Sequence, residues 1–252
     1  MVSVAIFLAS LSSAASEPET RTFKVDGVER TALVYAPSVK TAHPPLVFGF
    51  HGHGGTARFS SRHFLIHQLW PEAVVVYPQG LRTKTEADRR GFLPGWQKSV
   101  GMENDRDLHF FDSMYTSFAK EFGVDTRRTY AMGHSNGAYF TYVLWAARRD
   151  KLAAVSIVAG TLEKVAESLK PLPALVIAGE KDTMVPFEGQ QRSIEFLKRV
   201  NGISGKETKI GQMSLYHGAA DLGVMIYPGS HEYPTMASQA IVEFFKRENR
   251  RD

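Results

Sequence analysis

The sequence predicts an α/β fold, a mostly parallel sheet with helices on both faces, and three observations carry that expectation. Runs such as Val74-Val75-Val76 and Leu175-Val176-Ile177 are continuously apolar, as strands buried on both faces of a parallel sheet are. Segments with helical apolar spacing lie between such runs. The first two strand candidates are joined only by Asp26-Gly27, a hairpin turn, which places an antiparallel pair at the N-terminal edge.

Taken in chain order, an apolar run over residues 2–11 leads into Ser12-Ser13-Ala14-Ala15-Ser16, with no Lys or Arg before Arg21. This is the core and cleavage pattern of a secretory signal peptide. The expectation is a leader over 1–16, a secreted or periplasmic location, and one domain over 17–252. Eight strands are expected, over 22–25, 31–35, 46–50, 73–77, 129–132, 154–158, 174–178 and 224–227. Helices are expected over 107–122, directly after Ser135, over 190–200 and over 235–247. In the first of these, Leu108, Phe111, Tyr115, Phe118 and Phe122 keep helical spacing, with Asp107 placed to cap the start and Gly123 the end. The stretch 81–100 lacks apolar periodicity, contains Gly91, Pro94 and Gly95, and reads as a long surface loop. Between the sixth and seventh strands only residues 161–173 are available. That leaves room for one short helix and no large lid, so an open site is expected.

Composition narrows the function classes. The 252 residues suffice for one sizeable core. The 30 basic residues outnumber the 26 acidic ones, but the charges are interspersed, which argues against a nucleic-acid partner. There is no cysteine, so disulfides and thiolate chemistry are excluded. No apolar stretch has the length of a membrane span, so stable membrane insertion is not expected. Nothing in the pattern fixes an oligomeric state.

The chemical signal is Gly133-His134-Ser135-Asn136-Gly137, a G-x-S-x-G pattern between the strand at 129–132 and a helical run. A serine on such a tight strand-to-helix turn has its hydroxyl exposed, and glycines two residues either side avoid a collision. The turn also sets Ser135 at a helix N-terminus, where developing negative charge is favoured. A serine hydroxyl needs a base to take its proton. In the α/β-hydrolase arrangement that this turn resembles, an acid and then a histidine follow, each just past a strand end. The strand at 174–178 runs into Gly179-Glu180-Lys181-Asp182, which offers Glu180 and Asp182 as acids. The strand at 224–227 runs into Pro228-Gly229-Ser230-His231, which offers His231 as base.

Upstream, the strand at 46–50 runs into His51-Gly52-His53-Gly54-Gly55-Thr56. A loop in this place donates one backbone N–H to an oxyanion hole and the residue after the nucleophile donates the other. That assigns the N–H groups of His53 and Asn136. Gly52 to Ala57 also fits G-x-G-x-x-A, a dinucleotide fingerprint, but the next strand ends Tyr77-Pro78-Gln79 without the acid that would hold a ribose. His63 and His67 could share one helix face as a metal pair, yet no third ligand stands at an informative spacing, so no metal is expected. Trp96 and Tyr233 are expected to flank an acyl or aromatic group, or else to be ordinary packing residues.

From Leu46 to Pro234 the chain resembles the secreted polyhydroxybutyrate depolymerase and feruloyl esterase family of α/β-hydrolases. The matching landmarks are the His51-Gly52-His53-Gly54-Gly55-Thr56 loop, Tyr77-Pro78-Gln79-Gly80, Trp96, Val124-Asp125-Thr126-Arg127-Arg128, the serine turn with its Asn136, Asp182-Thr183-Met184-Val185-Pro186 and His231-Glu232-Tyr233-Pro234. The resemblance implies a triad of Ser135, Asp182 and His231, with Asp182 preferred to Glu180 by the D-x-x-V-P loop. It implies ester substrates of the hydroxycinnamate–carbohydrate or hydroxyalkanoate kind, cleaved through an acyl-enzyme without a cofactor. A peptidase or amidase, an acyltransferase, and a binding module that has lost activity are the rival readings.

Overall fold

In the computed structural model, residues 17–162 and 165–250 are described; the leader expected over 1–16 lies outside them. In chain order the elements are β1 (Glu19–Val25), β2 (Val28–Tyr35), β3 (Leu46–Phe50), α1 (Ala57–Phe64), α2 (Ile66–Leu69), β4 (Val74–Pro78), β5 (Leu81–Arg82), β6 (Pro94–Gly95), α3 (Arg106–Phe122), β7 (Thr129–His134), α4 (Asn136–Arg148), β8 (Ala154–Val158), β9 (Ala174–Gly179), α5 (Phe187–Val200), β10 (Thr208–Ile210), β11 (Met213–Tyr216), β12 (Leu222–Tyr227) and α6 (Ala237–Arg247).

The main sheet has ten strands, in the order β1-β2-β4-β3-β7-β8-β9-β12-β11-β10. The six from β4 to β12 in that order pair in parallel. Each edge is an antiparallel hairpin. The N-terminal one turns at Asp26 and Gly27, both with positive φ, 49° and 80°, the geometry a two-residue hairpin requires. The C-terminal hairpin, β10 and β11, corrects the expected eight strands to ten. Its strands are only three and four residues long, with no apolar run to announce them.

Side-chain alternation divides the core into two layers. On one face Leu46, Phe48 and Phe50 of β3 and Val74 and Val76 of β4 pack with Leu108, Phe111 and Met114 of α3, Phe140 and Leu144 of α4, and Leu197 of α5. On the other, Val47, Val75 and Tyr77 pack with Phe64 of α1, Ile66 of α2, and Ile241, Phe244 and Phe245 of α6. Each such side chain contributes about 1.5–3 kcal/mol on full burial, which is why these strands accept no polar alternation.

Three local expectations change. α1 is a separate helix, capped where Thr56 Oγ1 accepts the Phe59 N–H at 3.1 Å, and it ends at Leu65, whose φ is 51°. The break sends His63 and His67 to different helices, so they do not share a face. α3 begins at Arg106, and its first turn is capped from a distance: Gln97 Oε1 accepts the N–H groups of Asp107 and Leu108 at 3.1 and 3.3 Å. Asp107 is no cap; it is buried, accepting from Arg30 Nη2 and from the Gln97 N–H, both at 2.8 Å. The 81–100 stretch is a surface loop only in its middle, because β5 and β6 pair across it and Trp96 and Gln97 are buried.

Candidate active site

The polar residues singled out in the sequence gather at the carboxyl ends of the parallel strands. Ser135 links β7 to α4 with φ 54° and ψ −119°, a conformation rare outside glycine and costing on the order of 1–3 kcal/mol. Its N–H donates to Val158 O at 2.9 Å, tying the turn to β8. A Cβ at Gly133 would strike the Gly137 carbonyl and one at Gly137 the Phe50 carbonyl, so both positions need glycine.

Ser135 Oγ–H donates to His231 Nε2 at 2.8 Å, and His231 Nδ1–H donates to Asp182 Oδ2 at 2.8 Å. The Asp182 side chain is 0% exposed and that of His231 16%. Burial of a carboxylate requires partners. Asp182 Oδ1 accepts the Met184 and Val185 N–H groups at 3.0 and 2.8 Å, and Oδ2 also faces Gln190 Nε2 at 3.2 Å. Glu180, the other acid of this loop, is exposed. His134 Nε2–H donates to the His231 carbonyl at 2.9 Å, and burial, reinforced by the neighbouring His231, pushes the His134 pKa down to about 4.

The loop expected to supply an oxyanion donor, residues 51–56, is held in place by His51. Buried His51 donates from Nδ1 to Gly52 O at 2.7 Å and accepts the Gly80 N–H on Nε2 at 2.9 Å; burial lowers its pKa to about 4. Asn136 is the first residue of α4, so its own N–H has no intrahelical acceptor. Among the described residues, neither that N–H nor the one of His53 meets an acceptor. Both residues line the cleft that opens over Ser135.

Trp96 and Tyr233 are not brought to that cleft. Trp96 is 0% exposed, its indole N–H donating to His51 O at 2.9 Å, its ring against Phe50 and Phe140. Its backbone is locked by the Asn136 side chain, which accepts the Trp96 N–H at 2.7 Å and donates to the Trp96 carbonyl at 3.2 Å. Tyr233 packs at a tilt against Phe64, meets His134 edge to face and bonds Ser238 at 2.9 Å.

The cleft, of about 330 Å³, is walled instead by Thr85, Glu86, Ala87, Lys98, Tyr139 and Met184, with His134 at its base. Its Glu86, Tyr139 and Met184 also border a groove of about 950 Å³ that runs along α5. The sequence did hold signals for some of these. Tyr139 is one helical turn beyond Ser135, and Met184 follows the candidate acid. Between β8 and β9 the described residues form only a single 3-10 turn at Ala166–Ser168.

No family model matches the chain. Over 165 residues it is 26% identical to the bifunctional acetylxylan esterase/xylanase XynS20E of Neocallimastix patriciarum, covering 64% of this chain and 23% of that protein. Over 153 residues it is 29% identical to NocK of Nocardia uniformis subsp. tsuyamanensis, a protein named as an esterase, covering 58% of this chain and 42% of the other. The chain thus spans less than half the length of the curated relatives it matches. Among solved structures, a cold-adapted esterase from an Arctic intertidal metagenomic library superposes with a TM-score of 0.68 at 14% identity, covering 92% of this chain and 94% of that one. The acetyl xylan esterase from Aspergillus awamori superposes with a TM-score of 0.65 at 14% identity, covering 90% and 99%.

The fold is that of an α/β-hydrolase. Ser135 sits on the turn from β7 into α4, and the loops after β9 and β12 bring Asp182 and His231 to it. Among the described residues no helix is long and apolar enough to cross a membrane.

Proposed function

We propose that the chain is a serine carboxylic-ester hydrolase that works through an acyl-enzyme on Ser135. The observation that carries this reading is the unbroken relay from Ser135 through His231 to Asp182, two contacts of 2.8 Å, at the floor of an open cleft. The esterase names of the curated relatives support it.

Ser135 Oγ attacks the ester carbonyl carbon while its proton passes to His231 Nε2. The oxyanion of the tetrahedral intermediate accepts the N–H groups of His53 and Asn136, a single donor of this kind contributing about 3 kcal/mol. Collapse breaks the bond to the alcohol, which leaves with the proton from Nε2. Water then attacks the acyl-enzyme, its proton again passing to His231, and Ser135 recovers it as the acid departs. Asp182 holds the imidazole in the tautomer with the proton on Nδ1 and stabilises its cation. No step requires a cofactor.

The finer reading is a small acyl, hydroxycinnamoyl or hydroxyalkanoyl group on a bulky alcohol, in an exported enzyme. The open cleft and its continuation along α5 support the bulky alcohol, and the leader-like residues 1–16 support export. Hydrolysis of p-nitrophenyl acetate, p-nitrophenyl butyrate, methyl ferulate and acetylated xylan, against a peptide panel, tests it. Ester turnover with inert peptides is the expected result. Peptide cleavage without ester cleavage rejects the class.

A further inference from the structure

The His53 side chain has a partner of its own. Its Nε2 lies 3.2 Å from Asp88 Oδ2, and since a carboxylate only accepts, the imidazole donates from Nε2. The opposite nitrogen, Nδ1, is buried without a hydrogen-bond partner among the described residues. It presses on Gly95, where an added Cβ would collide both with it and with Asn136 Oδ1. The ring is therefore wedged between a carboxylate on one side and bare backbone on the other, and its side chain is only 17% exposed.

Asp88 in turn is fixed within the loop between β5 and β6. Its Oδ1 accepts the Gly91 N–H at 3.0 Å and its Oδ2 the Leu93 N–H at 2.9 Å. These amides, Leu93 foremost, hold its carboxyl below the usual range. β6, which ends this loop, meets the oxyanion loop a second time, where the Gly54 N–H donates to Pro94 O at 2.8 Å. The three residues just before Asp88, namely Thr85, Glu86 and Ala87, wall the cleft over Ser135.

We infer that Asp88 is a positioning residue: through the His53 imidazole it sets the His53 backbone N–H in the oxyanion hole, and so makes turnover depend on the loop that walls the substrate cleft. The inference rests on the ester-hydrolase reading above. The physical ground is preorganisation. A donor stabilises the oxyanion only where it already points at the charge that will develop. A displacement of about 1 Å costs on the order of a hundredfold in rate. Because the donor matters to the tetrahedral state more than to the bound ester, its loss falls on kcat rather than KM.

The test is a double-mutant cycle of Asp88→Asn and His53→Ala, assayed on p-nitrophenyl acetate beside wild type and Ser135→Ala, with the inhibition constant of butylboronic acid and the melting temperature recorded. His53→Ala keeps the backbone N–H and removes only the ring. Asp88→Asn keeps an oxygen for a loop amide and removes the charge. Each single variant should lower kcat by about ten- to a hundredfold, with KM within about threefold, and weaken the boronate in parallel. The double variant should be no slower than the worse single. Wild-type kcat in either single variant, or losses that multiply in the double variant, overturn the inference while Ser135-dependent turnover in wild type leaves the ester-hydrolase reading standing. A wild type with no Ser135-dependent turnover overturns both.

Discussion

His134 Nε2 lies 2.9 Å from the backbone carbonyl of His231, so the residue before the candidate nucleophile holds the residue proposed as its base. The contact closes a loop of interactions, because His231 returns to Ser135 through its own ring. Replacing His134 with leucine removes the donor and leaves the His231 carbonyl unpaired. A loss of about tenfold in kcat is expected, the effect of one hydrogen bond. His134→Gln, which keeps an N–H at similar reach, should recover most of it. Equal losses in both variants would show that the imidazole acts otherwise.

Asp182 and Glu180 sit two residues apart on one loop, yet only Asp182 is buried and bonded to His231. Asp182→Asn should lower kcat by about ten-thousandfold, by favouring the wrong imidazole tautomer. Glu180→Gln should leave kcat within about twofold. Steady-state kinetics on one p-nitrophenyl ester distinguishes the two acids.

The core strands and the three loops that carry the candidate triad were legible because each announces itself locally. β3 and β8 are mostly apolar runs, interrupted only by Gly49 and Ser156, and their observed bounds equal the expected ones. Ser135, Asp182 and His231 each follow such a run. What stayed hidden depends on distant partners. The orientation of Trp96 is set by His51 and Asn136, which lie 45 and 40 positions away. The cap of α3 comes from Gln97, and the partner of Asp107 is Arg30, 77 positions upstream. The β10–β11 hairpin forms because β12 presents an edge to pair with, which no three-residue pattern can reveal.

The Arg30–Asp107 pair should be costly to break. Both side chains are almost wholly buried, at 1% and 0%, and Asp107 also anchors the Gln97 N–H below the cleft. Burial lowers the Arg30 pKa, with Asp107 opposing that fall. Asp107→Ala should destabilise by about 3–5 kcal/mol, by leaving a buried guanidinium unpaired. Arg30→Met combined with Asp107→Leu should cost much less. Urea unfolding midpoints measure the difference.

Stability should fall in mild acid. Burial pushes His51, His67 and His134 down to about 4. The unfolded chain takes up these protons near pH ~6.5 and the folded chain only near 4, so stability is full above that upper value and declines as pH falls towards 4. His67 lies away from the cleft, with Nδ1 3.1 Å from the Tyr77 hydroxyl. His67→Gln should flatten the decline in melting temperature between pH 6.5 and 4.5 without altering ester turnover at pH 7. An unchanged slope would place the proton uptake elsewhere.

The proposed acyl-enzyme mechanism requires Ser135 as the nucleophile, and the most direct measurement is the site of covalent labelling by an alkyl fluorophosphonate, read by intact mass and peptide mapping. One adduct, on Ser135, formed in step with loss of ester turnover and missing from both Ser135→Ala and protein unfolded in urea, is the predicted result. No adduct on the folded protein, or an adduct on another residue with turnover lost, would contradict it.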